Sequence, residues 1–459
     1  MRIVRAVWAI ALAGVLSGTL AVSGPAAAAS PDLTDPAALE PWFEAVARAG
    51  PGGGPVRVLH LGDSHIARDT FSGDLRAMLQ ARAGGASGEM AARGMLPPGP
   101  VYPFFLARGV ELDMSPDWTI HRAIDEAADE RADEMADETA NGPFGLASAR
   151  IEAAPGTSPW VALSGIEAGA GLLVIGYLRQ PGGGAVQVTV DGAVSAFVTD
   201  GAPGHAFAAV PLDAGGQLVR VAAAGNGPVA LTSLALEDAA RGGGAQVVGF
   251  GWPGATAALM ARWDEALLRA ELVRIDPHLI IVGYGTNEGF DDKLDLAAYG
   301  EMFAAQLARL RALAPAAAIL VTGGPDGARL PLFADPDARA PEDWSCAPLT
   351  GAERAGYAAL VESEAESLLR WHDPPNLDAV LRIQKTAAAA AGAAHWDWRA
   401  AMGGACAIHD WRLAEPPLAR PDHVHLTAEG YAAAAAALLA ALDGAFVAWG
   451  KAGEGASVP

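Results

Sequence analysis

The chain of 459 residues carries 53 acidic and 31 basic side chains, which gives a formal net charge of −22 at pH 7. Because so acidic a protein is repelled by phosphate backbones, nucleic acid is excluded as the expected partner. The chain is long for a single hydrophobic core and predicts two domains.

The N-terminus has the pattern of a secretory signal peptide. Arg2 and Arg5 precede an apolar run from about Ala6 to Val22, and small residues follow as far as Ala29. This order predicts a signal peptide over residues 1–29 and a secreted, periplasmic protein. A membrane anchor is the alternative, but the run is short for a spanning helix. No transmembrane segment is predicted after cleavage.

The next two segments differ in composition. Residues 30–120 contain a short apolar strand, Val56 to Leu61, and then a helix predicted from Ser64 to Ala83, while residues 84–118 have a loop-like composition. Residues 121–144 repeat Asp-Glu pairs every four positions. Calcium loops space their ligands by twos around a glycine, so this run indicates a solvated, self-repelling linker instead.

Residues 145–240 have the periodicity of short strands. The runs on either side of Asp191-Gly192 alternate apolar and polar residues, and this dipeptide is a hairpin signal. Several such strands with turns at this spacing predict a β-sandwich domain.

Residues 241–450 alternate apolar strands with helices, which predicts a mainly parallel sheet covered by helices on both faces. A helix is predicted over Ala255 to Leu272, and a capping box of Thr350 and Glu353 predicts another long helix. The strand near residue 56 is assigned to the same sheet. The sandwich is therefore predicted to be an insertion into the α/β domain.

Ser64 is the candidate nucleophile. It lies in Gly62-Asp63-Ser64-His65, where a strand gives way to a helix. A backbone N–H at a helix start has no partner within the helix and, with the helix dipole, can stabilise an oxyanion. An ordinary Asp-Ser helix cap is the alternative for this tetrapeptide taken alone.

Two further residues could complete an oxyanion hole with the Ser64 N–H. Asn287 follows a second apolar strand and offers a side-chain N–H₂, although asparagine in a Gly-rich loop is also common turn chemistry. Gly254 lies in Trp252-Pro253-Gly254-Ala255, where it is predicted to open a helix and present its backbone N–H. A simple strand-to-helix turn is the alternative.

Asp422 and His425 are the candidate orienting carboxylate and base. They are separated by two residues just before the last helix, so the carboxylate could reach one imidazole nitrogen while the other faces a serine. His423 is the alternative base. A zinc site made by Asp422, His423 and His425 is the alternative use of the cluster.

Two other features have open interpretations. Cys346 and Cys406 could form a disulfide in an oxidising compartment or remain as two free thiols. A group after the last strand could line the cleft and stack on sugars, or could pack the helices: Trp396, Trp398, Arg399 and Met402.

Together the motifs resemble the four blocks of the SGNH/GDSL hydrolase superfamily, over residues 56–83 and 246–446. The blocks are Gly62-Asp63-Ser64, the glycine of Trp252-Pro253-Gly254-Ala255, Gly285-Thr286-Asn287, and Asp422-His423-Val424-His425. The resemblance implies a flavodoxin-like, three-layer αβα domain. It also implies Ser64 as nucleophile, His425 as base, Asp422 as its orienting partner, and an oxyanion hole formed by Ser64, Gly254 and Asn287.

A narrower resemblance points to periplasmic peptidoglycan O-acetylesterases. It rests on residues 59–65, 94–99, 284–288 and 396–404. Those enzymes carry a β-sandwich similar to a carbohydrate-binding module between the first two blocks, which residues 145–240 would match. Their glycine block usually reads Gly-x-Asn-Gly-Ala, so Trp252 and Pro253 depart from the pattern and change the side chain beside the oxyanion hole.

The resemblance implies removal of O-acetyl groups from an acetylated cell-envelope glycan, with no metal and no organic cofactor. An O-acetyltransferase would use the same residues. A lipase function is a less favoured alternative, because no apolar lid segment stands out. A non-catalytic glycan-binding protein is the alternative from another class.

Overall fold

A computed structural model describes residues 33–49, 54–83, 91–124, 142–166, 170–212, 218–238 and 243–455. The predicted signal peptide and residues 125–141 of the predicted acidic linker lie outside these ranges.

The described residues form strands and helices in the following places. The strands are β1 (Val56–Gly62), β2 (Gly94–Leu96), β3 (Glu111–Met114), β4 (Thr119–Arg122), β5 (Ala149–Ala153), β6 (Trp160–Ser164), β7 (Ala170–Arg179), β8 (Ala185–Val190), β9 (Ala193–Val198), β10 (Gly204–Pro211), β11 (Leu218–Ala224), β12 (Val229–Asp238), β13 (Ala245–Gly251), β14 (Leu279–Gly283), β15 (Ala318–Val321) and β16 (Ala394–His395). The α-helices are α1 (Glu40–Arg48), α2 (Ser64–Ala67), α3 (Phe71–Ala83), α4 (Glu265–Ile275), α5 (Thr286–Phe290), α6 (Leu296–Leu313), α7 (Gly351–Ala355), α8 (Tyr357–Glu362), α9 (Leu377–Ala390), α10 (Trp398–Met402), α11 (Ala407–Leu413) and α12 (Ala428–Gly455).

The α/β part is built on a five-stranded parallel sheet in the order β13-β1-β14-β15-β16. Numbered within this sheet, the order is 2-1-3-4-5, which is that of a flavodoxin-like fold. Parallel strands of this kind are buried on both faces, and this explains their continuous apolar character. The predicted α/β fold class is confirmed.

Helices cover both faces of this sheet. Alternate residues of β1 point to opposite sides, so Val58 joins a cluster with α1, α3 and α12, while Leu59 joins a cluster with α4, α6 and α9. The sheet is therefore the middle layer of three.

The other strands form two antiparallel sheets, which agree with the predicted β-rich addition. One has the order β10-β7-β12-β5-β4, with β2 also paired to β12, and the other has the order β3-β6-β11-β8-β9. Asp191 and Gly192 join β8 to β9, and both have positive φ, as a two-residue hairpin turn of the primed type requires. The short strands β2, β3 and β4 form within or beside residues 84–118, which composition alone marked as a loop.

Three predicted helices are broken by local signals. Asp69, with φ of 49°, lies in the gap between α2 and α3. The helix predicted over Ala255 to Leu272 is a 3₁₀ helix, Ala257–Arg262, and then α4, which Asp264 caps by accepting a hydrogen bond from the Leu267 N–H. The capping box of Thr350 and Glu353 is present, but α7 has only five residues and Gly356 separates it from α8.

The C-terminal helix and one covalent link complete the α/β part. By length and composition, one helix among the described residues, Ala428–Ala452 within α12, could cross a membrane. One of its faces packs in the core through residues such as Leu438, and its Asp443 pairs with Arg82 of α3 at 2.6 Å. Cys346 and Cys406 are joined by a disulfide, which decides between the two interpretations of these thiols.

Candidate active site

Three glycines in register place the candidate residues at one edge of the parallel sheet. Gly62 of β1 pairs with Gly251 of β13 on one side and with Gly283 of β14 on the other. All three stand at the carboxyl ends of their strands, where α/β sheets place their ligands. The Ser64 turn is therefore flanked by the two loops that carry Gly254 and Asn287.

Close packing explains why two of these positions are glycine. A Cβ on Gly62 would lie 2.5 Å from the Gly283 carbonyl oxygen, and a Cβ on Gly251 would lie 2.4 Å from the Ala67 backbone nitrogen. Side chains at these positions would push the neighbouring strand and α2 away. The glycines therefore keep the nucleophile turn close to both flanking loops.

Ser64 is the first residue of α2. Asp63 caps this helix, and its Oδ1 accepts a hydrogen bond of 3.0 Å from the His65 N–H. The cap is the ordinary interpretation of the Asp-Ser pair, and it coexists with a partly exposed Ser64 hydroxyl at the sheet edge.

The structure brings Ser64, His425 and Asp422 together in a hydrogen-bonded row. Ser64 Oγ lies 2.9 Å from His425 Nε2, and His425 Nδ1 lies 2.8 Å from Asp422 Oδ2. Serine and histidine are separated by 361 positions in the chain. This is the arrangement in which imidazole can accept a serine proton while a carboxylate fixes its tautomer.

A tight turn holds the carboxylate against the imidazole. Asp422 Oδ1 accepts hydrogen bonds from the backbone N–H groups of Val424 (3.0 Å) and His425 (2.9 Å). An aspartate that bonds to the backbone two residues ahead is a common turn former. Because Oδ1 is used in the turn, Oδ2 is left facing Nδ1.

His423 points away from the row, as its place between the two residues suggests. It is buried and its ring stacks on Trp371 with centroids 3.6 Å apart. Its Nε2 lies 2.9 Å from His409 Nδ1. His423 therefore stabilises the turn, and the alternative of His423 as base receives no support from this geometry.

Gly254 occupies a Pro-Gly turn. The Ala255 N–H donates to the Trp252 carbonyl at 3.1 Å, with Pro253 and Gly254 as the central residues, and Gly254 has φ of 77°. This is the geometry of a type II turn, which requires glycine at its third position. The helix begins only at Ala257, so the expectation that Gly254 opens it is wrong. Gly254 itself is exposed.

Asn287 lies in the first turn of α5 and is tied to the same loop. Its Nδ2 donates a hydrogen bond of 2.7 Å to the Ala255 carbonyl. An amide nitrogen carries two hydrogens, so one bond of this kind leaves a second for a ligand. The side chain thus joins the loop of Gly254 to the sheet edge beside Ser64.

Burial and hydrogen bonds set the charges around the row. Burial disfavours the charged form of Asp422, but hydrogen bonds from the His425 side chain and from two backbone N–H groups outweigh it and hold its pKa well below the usual range. Burial lowers the pKa of His65 to about 3, and its Nδ1 lies 3.0 Å from the Tyr431 hydroxyl. A neutral His65 therefore packs beside His425, with ring centroids 5.5 Å apart.

Two acids near the site are buried, which the sequence does not predict. Burial raises the pKa of Asp63 to about 6 and that of Glu288 to about 7. Both are 1% exposed. The only sequence signal was that each acid directly adjoins a candidate site residue, Ser64 or Asn287.

The aromatic group after the last strand does not line the cleft. Trp396 and Trp398 are 0% and 1% exposed, and Met402 is also buried. Arg399 pairs with Asp326 at 2.7 Å in a buried network. The interpretation that these residues pack the helices is the one that the structure supports.

The described residues contain no group of three or more His, Cys, Asp or Glu that could hold a metal ion. The zinc interpretation of Asp422, His423 and His425 therefore has no geometric support. Asp422 instead faces His425 Nδ1, and His425 Nε2 faces Ser64.

The sequence matches the model of the GDSL-like Lipase/Acylhydrolase family over residues 221–433. This range includes Gly254, Asn287, Asp422 and His425. Ser64 precedes the range in the sequence, because most of the inserted β-rich segment lies between them. No curated protein sequence matches the chain.

Three of the solved structures that resemble this chain differ widely in the strength of the likeness. A structure described as a peptidoglycan O-acetylesterase in action has a TM-score of 0.65 at 22% identity, covering 91% of this chain and 99% of that one. A putative acylhydrolase from Bacteroides fragilis covers 44% of this chain and 76% of its own at a TM-score of 0.27 and 14% identity. A carbohydrate esterase family 2 enzyme with a carbohydrate binding domain, from Corynascus thermopiles (Myceliophthora fergusii), covers 64% and 95% at a TM-score of 0.24 and 13% identity.

Residues 221–433 match the GDSL-like Lipase/Acylhydrolase family, and the flavodoxin-like strand order of the sheet agrees with the predicted SGNH/GDSL superfamily of carboxylic ester hydrolases. Within that class its fold is similar to that of the peptidoglycan O-acetylesterase over nearly the full length of both chains. The predicted superfamily resemblance is therefore supported by the family match, and the narrower resemblance is supported at the level of the fold.

Proposed function

We propose that this protein is a serine esterase that removes O-acetyl groups from a cell-envelope glycan, peptidoglycan being the substrate that we favour. The observation that carries the proposal is the row of Ser64, His425 and Asp422, with separations of 2.9 Å and 2.8 Å. The likeness to a peptidoglycan O-acetylesterase supports the choice of substrate.

The proposed reaction has two steps. Ser64 Oγ attacks the acetyl carbonyl carbon while its proton passes to His425 Nε2, and Asp422 stabilises the imidazolium through Nδ1. The tetrahedral intermediate then expels the sugar oxygen, which takes the proton from Nε2. Water repeats the sequence on the acetyl-enzyme and releases acetate.

The oxyanion of each intermediate would be held by three donors. They are the backbone N–H groups of Ser64 and Gly254 and the second N–H of the Asn287 amide. This assignment is supported by position, because all three residues follow the ends of adjacent strands of the parallel sheet. The hydrogen bond from Asn287 to Ala255 also connects two of the three segments. No step of this chemistry requires a metal or an organic cofactor.

The proposed location is the periplasm, after removal of residues 1–29. It is supported by the signal-like N-terminus, by a disulfide of the kind that persists in oxidising compartments, and by the proposed substrate. N-terminal sequencing of the protein from a periplasmic extract would test it.

The proposed activity is tested on purified O-acetylated sacculi. We expect free acetate and loss of acetyl mass from muropeptides with the wild-type protein, and neither with S64A. Acetylated xylan treated in parallel tests the choice of glycan. Acetyl transfer to an added acceptor glycan in place of acetate release would favour an O-acetyltransferase, and release of no acyl group would favour a glycan-binding protein.

A further inference from the structure

Two hydrogen bonds join α5 to the loop that carries Gly254. Asn287 Nδ2 donates to the Ala255 carbonyl at 2.7 Å, and the Ala257 N–H donates to Glu288 Oε1, also at 2.7 Å. Adjacent residues of one short helix therefore hold the loop at two points, one just after Gly254 and one where the 3₁₀ helix begins.

The second of these bonds is made by a glutamate whose burial is unfavourable for folding. Glu288 is 1% exposed, burial raises its pKa to about 7, and its Oε2 has no hydrogen-bond partner among the described residues. A buried carboxyl group with an unused oxygen is unfavourable for folding. Its presence therefore indicates a need for an acceptor at this position.

The group that requires this acceptor is a backbone N–H of the loop that carries Gly254. Ala257 is fully buried and begins a 3₁₀ helix, so its N–H has no partner inside that helix and cannot reach water. The Thr256 side chain makes no capping hydrogen bond there. Glu288 supplies the acceptor that the cap position lacks.

We propose that Glu288 is a positioning residue for the oxyanion hole: it fixes the Gly254 loop relative to Asn287, so that both donors keep one spacing from Ser64. The inference rests on the proposed function, since it concerns the donors assigned there. Glu288 acts through Ala257 and touches neither the nucleophile nor the substrate. Because stabilisation of an oxyanion depends on preorganised donors, a small loop displacement would lower kcat.

The chain contains a matched control in Glu271 of α4. Glu271 is 0% exposed, its Oε2 accepts a hydrogen bond of 2.7 Å from the Leu146 N–H, and burial raises its pKa to about 8. It is thus a second buried glutamate that holds one backbone N–H. The segment that it holds leads into the sandwich and carries none of the proposed donors.

The test compares E288D and E288Q with E271D and E271Q, using nitrophenyl acetate. E288D keeps the carboxyl group but withdraws it from Ala257, so we expect kcat to fall by about 10- to 100-fold with little change in KM. E288Q removes the charge but keeps an oxygen for the Ala257 N–H, so we expect it to retain most of the wild-type kcat. Both Glu271 variants should keep wild-type kcat even where their Tm falls.

A257P breaks the same hydrogen bond from the donor side, in case E288D does not fold. Proline is tolerated at the first position of a helix, and Thr256 has φ of −100° and ψ of 167°, which suits the residue before a proline. We expect a loss of kcat similar to that of E288D.

Three results would overturn the inference: wild-type kcat in folded E288D or A257P, equal losses in E288Q and E288D, or equal losses in the Glu271 and Glu288 variants. An active wild type whose S64A variant is inactive, with normal E288D, would reject the role of Glu288 alone. A wild type without esterase activity would reject the proposed function and this inference with it.

Discussion

Ser72 and His60 form a second serine–imidazole pair, with Ser72 Oγ 3.0 Å from His60 Nδ1. The separation is almost that of Ser64 and His425, yet both residues are 0% exposed and His60 Nε2 has no hydrogen-bond partner in the described residues. Burial lowers the pKa of His60 to about 3. Within the described ranges no carboxylate orients His60, and burial keeps substrate away from the pair. The pair therefore tests whether a short serine–imidazole distance alone is enough for activity.

The first prediction uses this pair as a control. S64A should lower kcat for nitrophenyl acetate by about 10⁴-fold or more, because the proposed nucleophile is lost. S72A should keep wild-type kcat and lose about 1–3 kcal/mol of stability, since His60 is left without its partner. Initial rates and thermal melts of both variants check this. An S64A variant within tenfold of the wild type would contradict the assignment of Ser64.

The second prediction concerns the tautomer of His425. In D422N the side-chain oxygen can keep the two backbone hydrogen bonds, but the amide N–H₂ would face Nδ1. Nε2 would then carry the proton and could not accept one from Ser64, so kcat should fall by about 10⁴-fold.

The exposed Asp410 of α11 provides the control for this charge change. D410N should have wild-type kcat in the same assay. Equal rates for D422N and the wild type would show that the carboxylate does not set the tautomer.

The third prediction tests the proposed oxyanion donor. N287A should lower kcat by about 10²- to 10³-fold with little change in KM, because the donor acts on charge that develops only in the transition state. Asn376 gives the control, since its Nδ2 also donates to a backbone carbonyl, that of Asp291, at 2.7 Å. N376A should affect stability and leave kcat unchanged. A rise in KM at constant kcat for N287A would indicate a binding role instead.

The positions of the candidate residues could be predicted because local patterns decide them. The apolar strands β1 and β14 end in Gly62 and Gly283, and the polar residues after them must emerge at the same edge of a parallel sheet. The Asp422–His425 pair could be predicted from spacing alone, since a turn brings residues three apart together.

Other features depend on contacts that no local pattern encodes. The Glu288–Ala257 hydrogen bond joins residues 31 positions apart. In the sequence, Glu288 is recognisable only as a polar residue after Asn287. Strand β3 was not predicted because its burial alternates between exposed and half-buried positions and its partner β6 lies some 50 residues further on. The identity of Trp396 and Trp398 as tryptophan does not distinguish a residue that stacks on sugars from one that packs in a core.

The fourth prediction is that the wild type loses stability relative to E271Q between pH 6.5 and pH 8. Burial raises the pKa of Glu271 to about 8, well above the ordinary glutamate value of about 4.5 that applies when the chain is unfolded. Between these two pH values the folded state holds a proton that the unfolded state has released, so stability falls as pH rises. The slope from one such group is on the order of 1.4 kcal/mol per pH unit.

Comparison with E271Q removes an opposing effect of the histidines. Burial lowers the pKa of His60, His65 and His395 to about 3 or 4, so these groups add stability as pH rises through the ordinary value of 6.5 that applies to the unfolded chain. Because E271Q contains the same histidines, their contribution cancels in the difference between the two proteins. Urea unfolding at pH 6.5, 7.2 and 8.0 should show the free energy of unfolding of the wild type falling relative to that of E271Q. Parallel curves for the two proteins would contradict the assigned shift.

The fifth prediction concerns the disulfide between Cys346 and Cys406, which are 60 positions apart. A cross-link of this span restricts the unfolded chain, so its reduction should lower the free energy of unfolding by roughly 2–4 kcal/mol. Urea midpoints with and without reductant measure the effect. The C346S/C406S variant should be insensitive to reductant, and an unchanged midpoint in the wild type would contradict the prediction.

The 361-residue span between Ser64 and His425 has a consequence for the life of the polypeptide. A nascent or proteolysed fragment that ends anywhere between residues 65 and 421 holds the proposed nucleophile without its base. Hydrolytic activity would thus arise only when the segment before the last helix packs against Ser64, so incomplete chains would remain inactive during synthesis.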